Sequence, residues 1–344
     1  MSGADRSSAA AAPSARPIRR VMSGIRVSGR LHIGHFWGTL RNWLELQEKY
    51  QCFFGAMDWH GFTTAYKVPG EMHAWTRETI AECLAIGLDP NRSTIFVQSM
   101  VPEHLELFLI LANLTPKGWL ERVPTWKDSE EENKANDTYN LGRFAYPVLQ
   151  AADIAIYRGD GVPVGQDQVA HLELTREIIR RLNNLYKLKI PEPQALLTDT
   201  PLVAGLDGRK MSKSYNNTLF LIEESEKSLR KKVNSMVTDP ARIRREDVGE
   251  PTKCSVYGYH KLYSTTEDLA WVESGCRSAG IGCGDCKGRL TENIEKKMAE
   301  PRIKKQELLK PGSDLDKILQ QGAEKARSEA QITLQEVRKG MKWL

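Results

Sequence analysis

The feature that most constrains this chain is an alternation running from Ser23 to about Thr200. After a first strand signal at Ile18 to Ile25, the short apolar strand candidates Phe53 to Met57, Thr94 to Gln98 and Gly161 to Val164 alternate with helical stretches such as Phe36 to Tyr50, Gly70 to Ile86 and His104 to Ala112. Strands that alternate with helices in this way are laid down side by side as a parallel sheet covered by those helices. The predicted fold class is α/β. After Asn217 the pattern changes to charged helical segments, Ile222 to Met236, Leu290 to Met298 and Leu315 to Val337, with few strand signals. The expected organisation is a disordered tail over residues 1–17, an α/β domain over 18–216 and a helical domain over 217–344 whose last helix is free to pack back on the first domain.

Composition narrows the classes further. With 40% hydrophobic and 27% charged residues, the chain is neither disordered throughout nor collagen-like. The longest apolar stretch, around Leu105 to Leu114, is broken by Glu106 and falls short of the roughly 18 residues that a membrane span needs. The Ala-rich start lacks the apolar core of a secretory signal, so the expected location is cytoplasmic. The net charge of +5 says little by itself. Its clusters, Arg176 with Arg180 and Arg181, Arg230 to Lys232, and Arg242 with Arg244 and Arg245, suit phosphate backbones, although each taken alone is more often a solvated helix face.

Two polar segments carry candidate chemistry. Gly24 to Leu31 comes close to a phosphate-binding P-loop, but Arg30 and Leu31 replace the Lys and Ser/Thr that such a loop requires. The next residues, His32-Ile33-Gly34-His35, place two imidazoles around a glycine where a strand should hand over to a helix. Free N–H groups at a helix start favour an anion, and Gly34 would let a flat group approach the backbone. Downstream, Gly208 to Asn217 is a polar loop in which Lys210 and Lys213 could neutralise a triphosphate and follow the charge as pyrophosphate leaves. A pair of capping histidines and a solvated turn are the plain readings of each segment alone.

Taken together, His32-Ile33-Gly34-His35 and Lys210-Met211-Ser212-Lys213-Ser214 match both signatures of the class I aminoacyl-tRNA synthetases. Met22-Ser23-Gly24-Ile25, the run Tyr146 to Ile154, the run Val162 to Gln168, and His171, Glu173 and Arg176 after it resemble the tryptophanyl-tRNA synthetases. That resemblance spans about Ile18 to the C-terminus. It implies a Rossmann-type nucleotide-binding domain and a homodimer that activates L-tryptophan with ATP and Mg2+ and passes it to tRNA(Trp). It assigns catalytic roles to His32, His35, Lys127, Lys210 and Lys213. ATP would be bound by Arg26, Ser28, Gly34, His35, Gly165, Asp167, Gln168, Lys210, Met211, Ser212 and Lys213. Tryptophan would be bound by Met22, Met57, His60, Tyr146, Gln150, Asp153, Val162, Val164 and Gln168.

The residues can be tested against that chemistry. Tyr146, Gln150 and Asp153 stand at i, i+4 and i+7, so a helix would put all three on one face, and Asp153 is a suitable acceptor for the single N–H of an indole. Gln150 is a departure, because many bacterial relatives carry methionine there, and glutamine with aspartate also suits the phenol of tyrosine. A tyrosyl enzyme is therefore the rival reading, and a non-catalytic RNA-binding paralogue is the rival of another class.

Six cysteines without a secretory signal point to a reducing compartment. Cys52 and Cys83 fall within strand and helix patterns and are expected in the core. Cys254, Cys276, Cys283 and Cys286 are separated by 21, six and two residues, with the last pair expected on a tight, glycine-rich turn. Four thiolates suit tetrahedral zinc or a 4Fe-4S cluster. Some tryptophanyl enzymes hold a 4Fe-4S cluster on a similar pattern in the tRNA-binding domain, with a first gap one residue longer, so the resemblance implies iron-sulfur, with Zn2+ the alternative.

Overall fold

The computed structural model describes residues 17–123, 126, 130–197, 203–212 and 215–343. The tail expected over 1–17 lies outside the described residues apart from Pro17. Five parallel strands form the sheet: β1 (Arg20–Arg26), β2 (Gln51–Met57), β3 (Thr94–Val97), β4 (Gly161–Val164) and β5 (Gln194–Leu197), in the spatial order β3-β2-β1-β4-β5. After β3 the chain crosses to the far side of β1, which opens a crevice at the carboxyl ends of β1 and β4, where doubly wound sheets bind ligands.

Both faces of the sheet are covered, and the strands show it residue by residue. Val21, Ile25, Cys52, Phe54, Ala56, Ile95 and Val97 enter one buried cluster, while Met22, Phe53, Met57 and Phe96 enter the other. This is the period of two expected of a strand with a core on each side.

The first helical layers are α1 (residues 33–46), α2 (Asp58–Ala65), α3 (Pro69–Ala85), α4 (Glu103–Leu114), α5 (Lys117–Glu121), α6 (Glu130–Ala135), α7 (Leu141–Ile156) and α8 (Val169–Tyr186). The helical part follows with α9 (Glu226–Ser235), α10 (Ser255–Tyr263), α11 (Thr266–Arg277), α12 (Cys283–Leu308) and α13 (Leu315–Met341). Helix α13 returns to the sheet and lies on β3. A Cβ at Gly322 would sit 1.8 Å from the carbonyl oxygen of Ile95, so only glycine allows this approach. Arg338 with Glu106 and Arg327 with Glu103 pair α13 to α4. No helix among the described residues is long and apolar enough to cross a membrane.

The structure corrects several boundaries. Strand β5 carried no strand signal: it is four residues long, on the sheet edge, with its last residue exposed, and it follows Pro191 and Pro193. Gln98, expected to end β3, is buried and instead opens a 3-10 turn over Gln98–Met100. The helix expected from Ile222 begins at Glu226, because the Ser225 hydroxyl caps it by accepting from the Ser228 N–H at 3.2 Å. Cys283 and Cys286 stand on the first turn of α12, not on a wrapping loop, since Gly284 and Gly288 are absorbed into the helix. Cys52 and Cys83 are buried in the core.

Candidate active site

A cavity of about 450 Å³ opens at the carboxyl ends of β1 and β4. Strand β1 contributes Met22 to Gly24 and Arg26, strand β4 and its exit contribute Val162 to Gly165, and α7 contributes Arg143, Tyr146, Gln150 and Asp153. Helix α7 starts where the Asn140 side chain accepts from the Arg143 N–H at 2.9 Å, and this sets the phase that turns its polar stripe inward. Helix α1 is wound as a π-helix over Phe36–Leu40, and Gly38, Thr39 and Asn42 face the cavity from it. Such a bulge re-aims the side chains of one turn and is frequent at functional sites.

Asp153 lies at the base of this cavity and is only 2% exposed. Its Oδ2 is 2.8 Å from His60 Nε2, while its Oδ1 accepts from Gln98 Nε2 at 2.8 Å and pairs with His104 Nδ1 at 2.7 Å. His104 Nε2 is in turn 2.7 Å from the Tyr157 hydroxyl. Burial by itself would raise the carboxyl, but the hydrogen bonds from His104 and His60 outweigh it and hold it down at about 2. The result is a fixed, ionised, acceptor-only group at neutral pH. Gln98 and His104 are partners of Asp153 that periodicity did not reveal: one closed a strand pattern and the other opened a helical one.

The rest of the wall is mixed. Tyr146 Oη and His171 Nε2 share a hydrogen bond at 2.6 Å, and the Arg143 guanidinium lies 5.0 Å from the centre of the Tyr146 ring. Arg26 donates from Nε to the His60 carbonyl at 3.2 Å and from its terminal nitrogen to Thr64. Arg26 and Arg143 therefore give one side of the cavity a positive character. Thr39, Asn42, Thr63 and Arg143 join the wall without any prior signal in the sequence.

The histidine turn stands apart from the cavity wall. The His32 N–H donates to His35 Nδ1 at 3.0 Å, and the two rings lie 3.8 Å apart. A Cβ at Gly34 would approach the His32 ring to 2.9 Å, which accounts for glycine between the two imidazoles. The Ile33 N–H donates to the Leu219 carbonyl and the Leu221 N–H to the Leu31 carbonyl, each at 3.0 Å, so the turn is paired with the segment that leaves the lysine loop. In that loop the buried Asn217 side chain donates to Asp207 Oδ1 and the Lys210 carbonyl and accepts from the Ser212 N–H.

Of the residues assigned to tryptophan, all nine line the cavity, joined by Arg26 and Gly165 from the ATP set. Ser28, His32, Gly34, His35, Lys210, Met211 and Ser212 lie off its wall. Lys127 and Lys213 lie outside the described residues, as does the side chain of Asp167.

Cys254, Cys276, Cys283 and Cys286 line one small enclosed cavity with Val256, Tyr257, Val272, Ile281 and Arg242, and all four are free thiols. Their elements converge: Cys254 precedes α10, Cys276 closes α11 and the last two open α12. Burial, and then the neighbouring thiols, push the Cys286 thiol up to about 12. The His260 Nε2 lies 3.3 Å from the Cys286 Sγ, and Arg242 Nη1 lies 3.8 Å from the Cys276 Sγ. The donor set fits a soft metal or a cluster. As the side chains stand, no three histidines, cysteines or carboxylates among the described residues converge tightly enough to hold an ion.

Comparison with known proteins defines the class. Residues 15–299 match the family described as tRNA synthetases class I (W and Y). The chain is 46% identical to a tryptophan–tRNA ligase of Thermotoga maritima over 324 residues, which is 94% of this chain and 98% of that one. A tryptophan–tRNA ligase of Aquifex aeolicus is 40% identical, with 94% and 99% covered. Among solved structures, the tryptophanyl-tRNA synthetase of Campylobacter jejuni complexed with ADP and tryptophan superposes with a TM-score of 0.86 at 35% identity, covering 94% of this chain and 99% of that one. The fold, the histidine turn and the lysine loop thus define a class I aminoacyl-tRNA synthetase. Within that class, the chain belongs to the tryptophan–tRNA ligase family.

Proposed function

We propose that the cavity between β1 and β4 holds L-tryptophan, with the indole N–H donating to Asp153 and the ring packed among Met22, Met57, Val162 and Val164. The observation that carries this is the ionised Asp153, which is held by three hydrogen bonds, keeps acceptor capacity for one more and shares the cavity wall with Met22, Met57, Val162 and Val164. Tyr146 and Gln168 would then hold the amino group, and Arg26 and Arg143 lie on the side where carboxylate and phosphate charge must meet.

The enzyme is a tryptophan–tRNA ligase. A tryptophan carboxylate oxygen attacks the α-phosphorus of ATP, the bond to the bridging oxygen breaks, and pyrophosphate carries away the negative charge. His32 and His35 would donate hydrogen bonds to the phosphates, and Lys210, with Lys213 and Lys127 by resemblance, would balance the charge that moves onto pyrophosphate. Mg2+ would arrive with the nucleotide, since such ions are commonly held by phosphates and water with few protein ligands. The ribose hydroxyl at the 3′ end of tRNA(Trp) then attacks the adenylate carbonyl and releases AMP.

The helical part would hold the tRNA. Arg244 and Arg245 flank the cysteine cavity and suit an RNA backbone. The four cysteines would bind a 4Fe-4S cluster, or Zn2+ in its place, with Arg242 offsetting its negative charge. The cluster would organise this part of the chain and supply no atom to amino-acid activation. A homodimer in the cytoplasm is the working state; Leu105 and Leu109, exposed one turn apart on α4, offer an apolar face for the second copy.

Amino-acid-dependent exchange of ATP with labelled pyrophosphate, run with tryptophan and tyrosine side by side, tests the reading. Exchange with tryptophan is expected. Exchange with tyrosine alone would overturn the substrate, and exchange with neither would leave an RNA-binding protein.

A further inference from the structure

We propose that Lys305, Glu82, Glu78 and Arg30 form a positioning relay that ties the histidine turn to helix α12, so that the seating of this helix sets the geometry of the turn during amino-acid activation. The proposal rests on the ligase reading. Its four residues lie outside the cavity wall.

Lys305 stands near the end of α12 and is 7% exposed. Its Nζ donates to Glu82 Oε1 at 2.7 Å and to Glu78 Oε1 at 2.6 Å, two carboxylates one turn apart on α3. Glu82 is wholly buried, and desolvation raises its carboxyl to about 7 against the pull of Lys305. Burying charges like these is costly, and a well-packed apolar set often serves stability equally well. Stability alone therefore does not account for the arrangement. Fixing the register of one element on another is the better attested use of such groups.

The relay continues without a gap. The same Glu78 Oε1 lies 2.9 Å from Arg30 Nε, off the hydrogen-bond axis but within ion-pair range. Arg30 Nη1 donates to Glu224 Oε1 at 2.7 Å, Nη2 donates to the Ile222 carbonyl at 3.3 Å, and the guanidinium covers the Phe220 ring at 4.0 Å. Phe220 is the residue paired with His32 across an antiparallel bridge. One carboxylate oxygen thus joins the ammonium of α12 to a guanidinium two residues before His32, and that guanidinium also grips the segment leaving the lysine loop. Helix α12 carries Cys283 and Cys286 on its first turn, so its two ends serve the cysteine cavity and this relay.

Reacting groups must be held closely, since a displacement of about 1 Å can cost on the order of 10²-fold in rate. The test uses full-length protein and tryptophan-dependent pyrophosphate exchange, with thermal melts to confirm folding. Lys305→Met combined with Glu82→Gln removes the charges and retains most of the volume. We expect kcat to fall about ten-fold while the KM for tryptophan stays within about two-fold, because the indole wall is untouched. In an Arg30→Ala background the same pair of substitutions should have less than about a two-fold effect, the coupling expected of residues acting through one another. A folded double variant with parental kcat, or an equal loss in both backgrounds, would overturn the relay. If the double variant does not fold, Arg30→Gln leaves the buried pair intact. It should show the same loss confined to kcat, with recovery in Arg30→Lys, and parental kcat in folded Arg30→Gln would overturn the proposal. An active parent with indifferent variants defeats the relay alone, whereas a parent without tryptophan-dependent exchange defeats the ligase reading itself.

Discussion

His32 and Phe220 face each other across an antiparallel bridge, flanked by the Ile33 to Leu219 and Leu221 to Leu31 hydrogen bonds. The histidine turn and the exit of the lysine loop are therefore one piece of backbone structure, although the two motifs lie about half the chain apart. The pairing ties Leu219 to Leu221 to the histidine turn, and the helix expected from Ile222 starts only after it, at Glu226.

The role of Asp153 predicts a graded series. Asp153→Ala should lower kcat/KM for tryptophan on the order of 10²-fold or more, since it removes the acceptor and leaves Gln98 and His104 without theirs. Asp153→Asn should lose about ten-fold, because its amide retains one acceptor oxygen and His60 can change tautomer to receive the new N–H. Steady-state exchange kinetics over a range of tryptophan concentrations check this, and near-parental values in both variants would remove Asp153 from the pocket.

Two buried carboxyls predict opposite pH trends in stability. Asp153 is held at about 2, below its ordinary 3.8, so its contribution, on the order of 2 kcal/mol, is fully present above about pH 4 and is lost as pH falls towards 2. Glu82 is raised from 4.5 to about 7, so the folded state keeps a proton that the unfolded chain has released, and its contribution declines as pH rises from about 4.5 to 7. Denaturant titrations across pH should show Glu82→Gln flattening the profile between pH 4.5 and 7. Asp153→Asn should flatten it only below pH 4.

Lys210 lies off the cavity between β1 and β4, and its backbone is fixed by Asn217 and by a bridge to Ala204. Lys210→Ala should therefore slow adenylate formation about 10²-fold, the scale on which oriented charge acts in a transition state, and leave tryptophan binding within about two-fold. The same outcome is expected for Lys213→Ala. Single-turnover kinetics beside equilibrium binding separate the two steps, and unchanged adenylation would exclude these lysines from it.

Protein purified without oxygen should be brown, with broad absorption near about 400 nm from iron-sulfur charge transfer. Stoichiometric zinc in a colourless sample would replace the cluster with zinc, and the absence of any metal would leave four free thiols. Cys283→Ser should impair aminoacylation of tRNA and leave pyrophosphate exchange largely intact. Equal loss of both would show that the site supports the whole fold.

Much of this protein was legible before folding was considered. Alternating short strands and helices specify a covered parallel sheet, because backbone pairing and apolar burial leave few other solutions, and β1 to β4 emerged from their apolar runs. The stripe of Tyr146, Gln150 and Asp153 could be placed on one face because helical periodicity is local. Hydrogen bonds between distant segments are not local. The sequence held no sign that Gln98 and His104 would converge on Asp153, that α1 would wind as a π-helix beside the cavity, or that Arg143 would enter its wall. Nor did it foretell that Lys305 would meet Glu78 and Glu82, more than two hundred residues away. Such contacts depend on how whole helices seat against the sheet, and that is decided by packing in three dimensions. The chain alone therefore determined the fold class and the chemistry of its motifs, while the tertiary structure decided which side chains fix Asp153 in place and which hold the histidine turn.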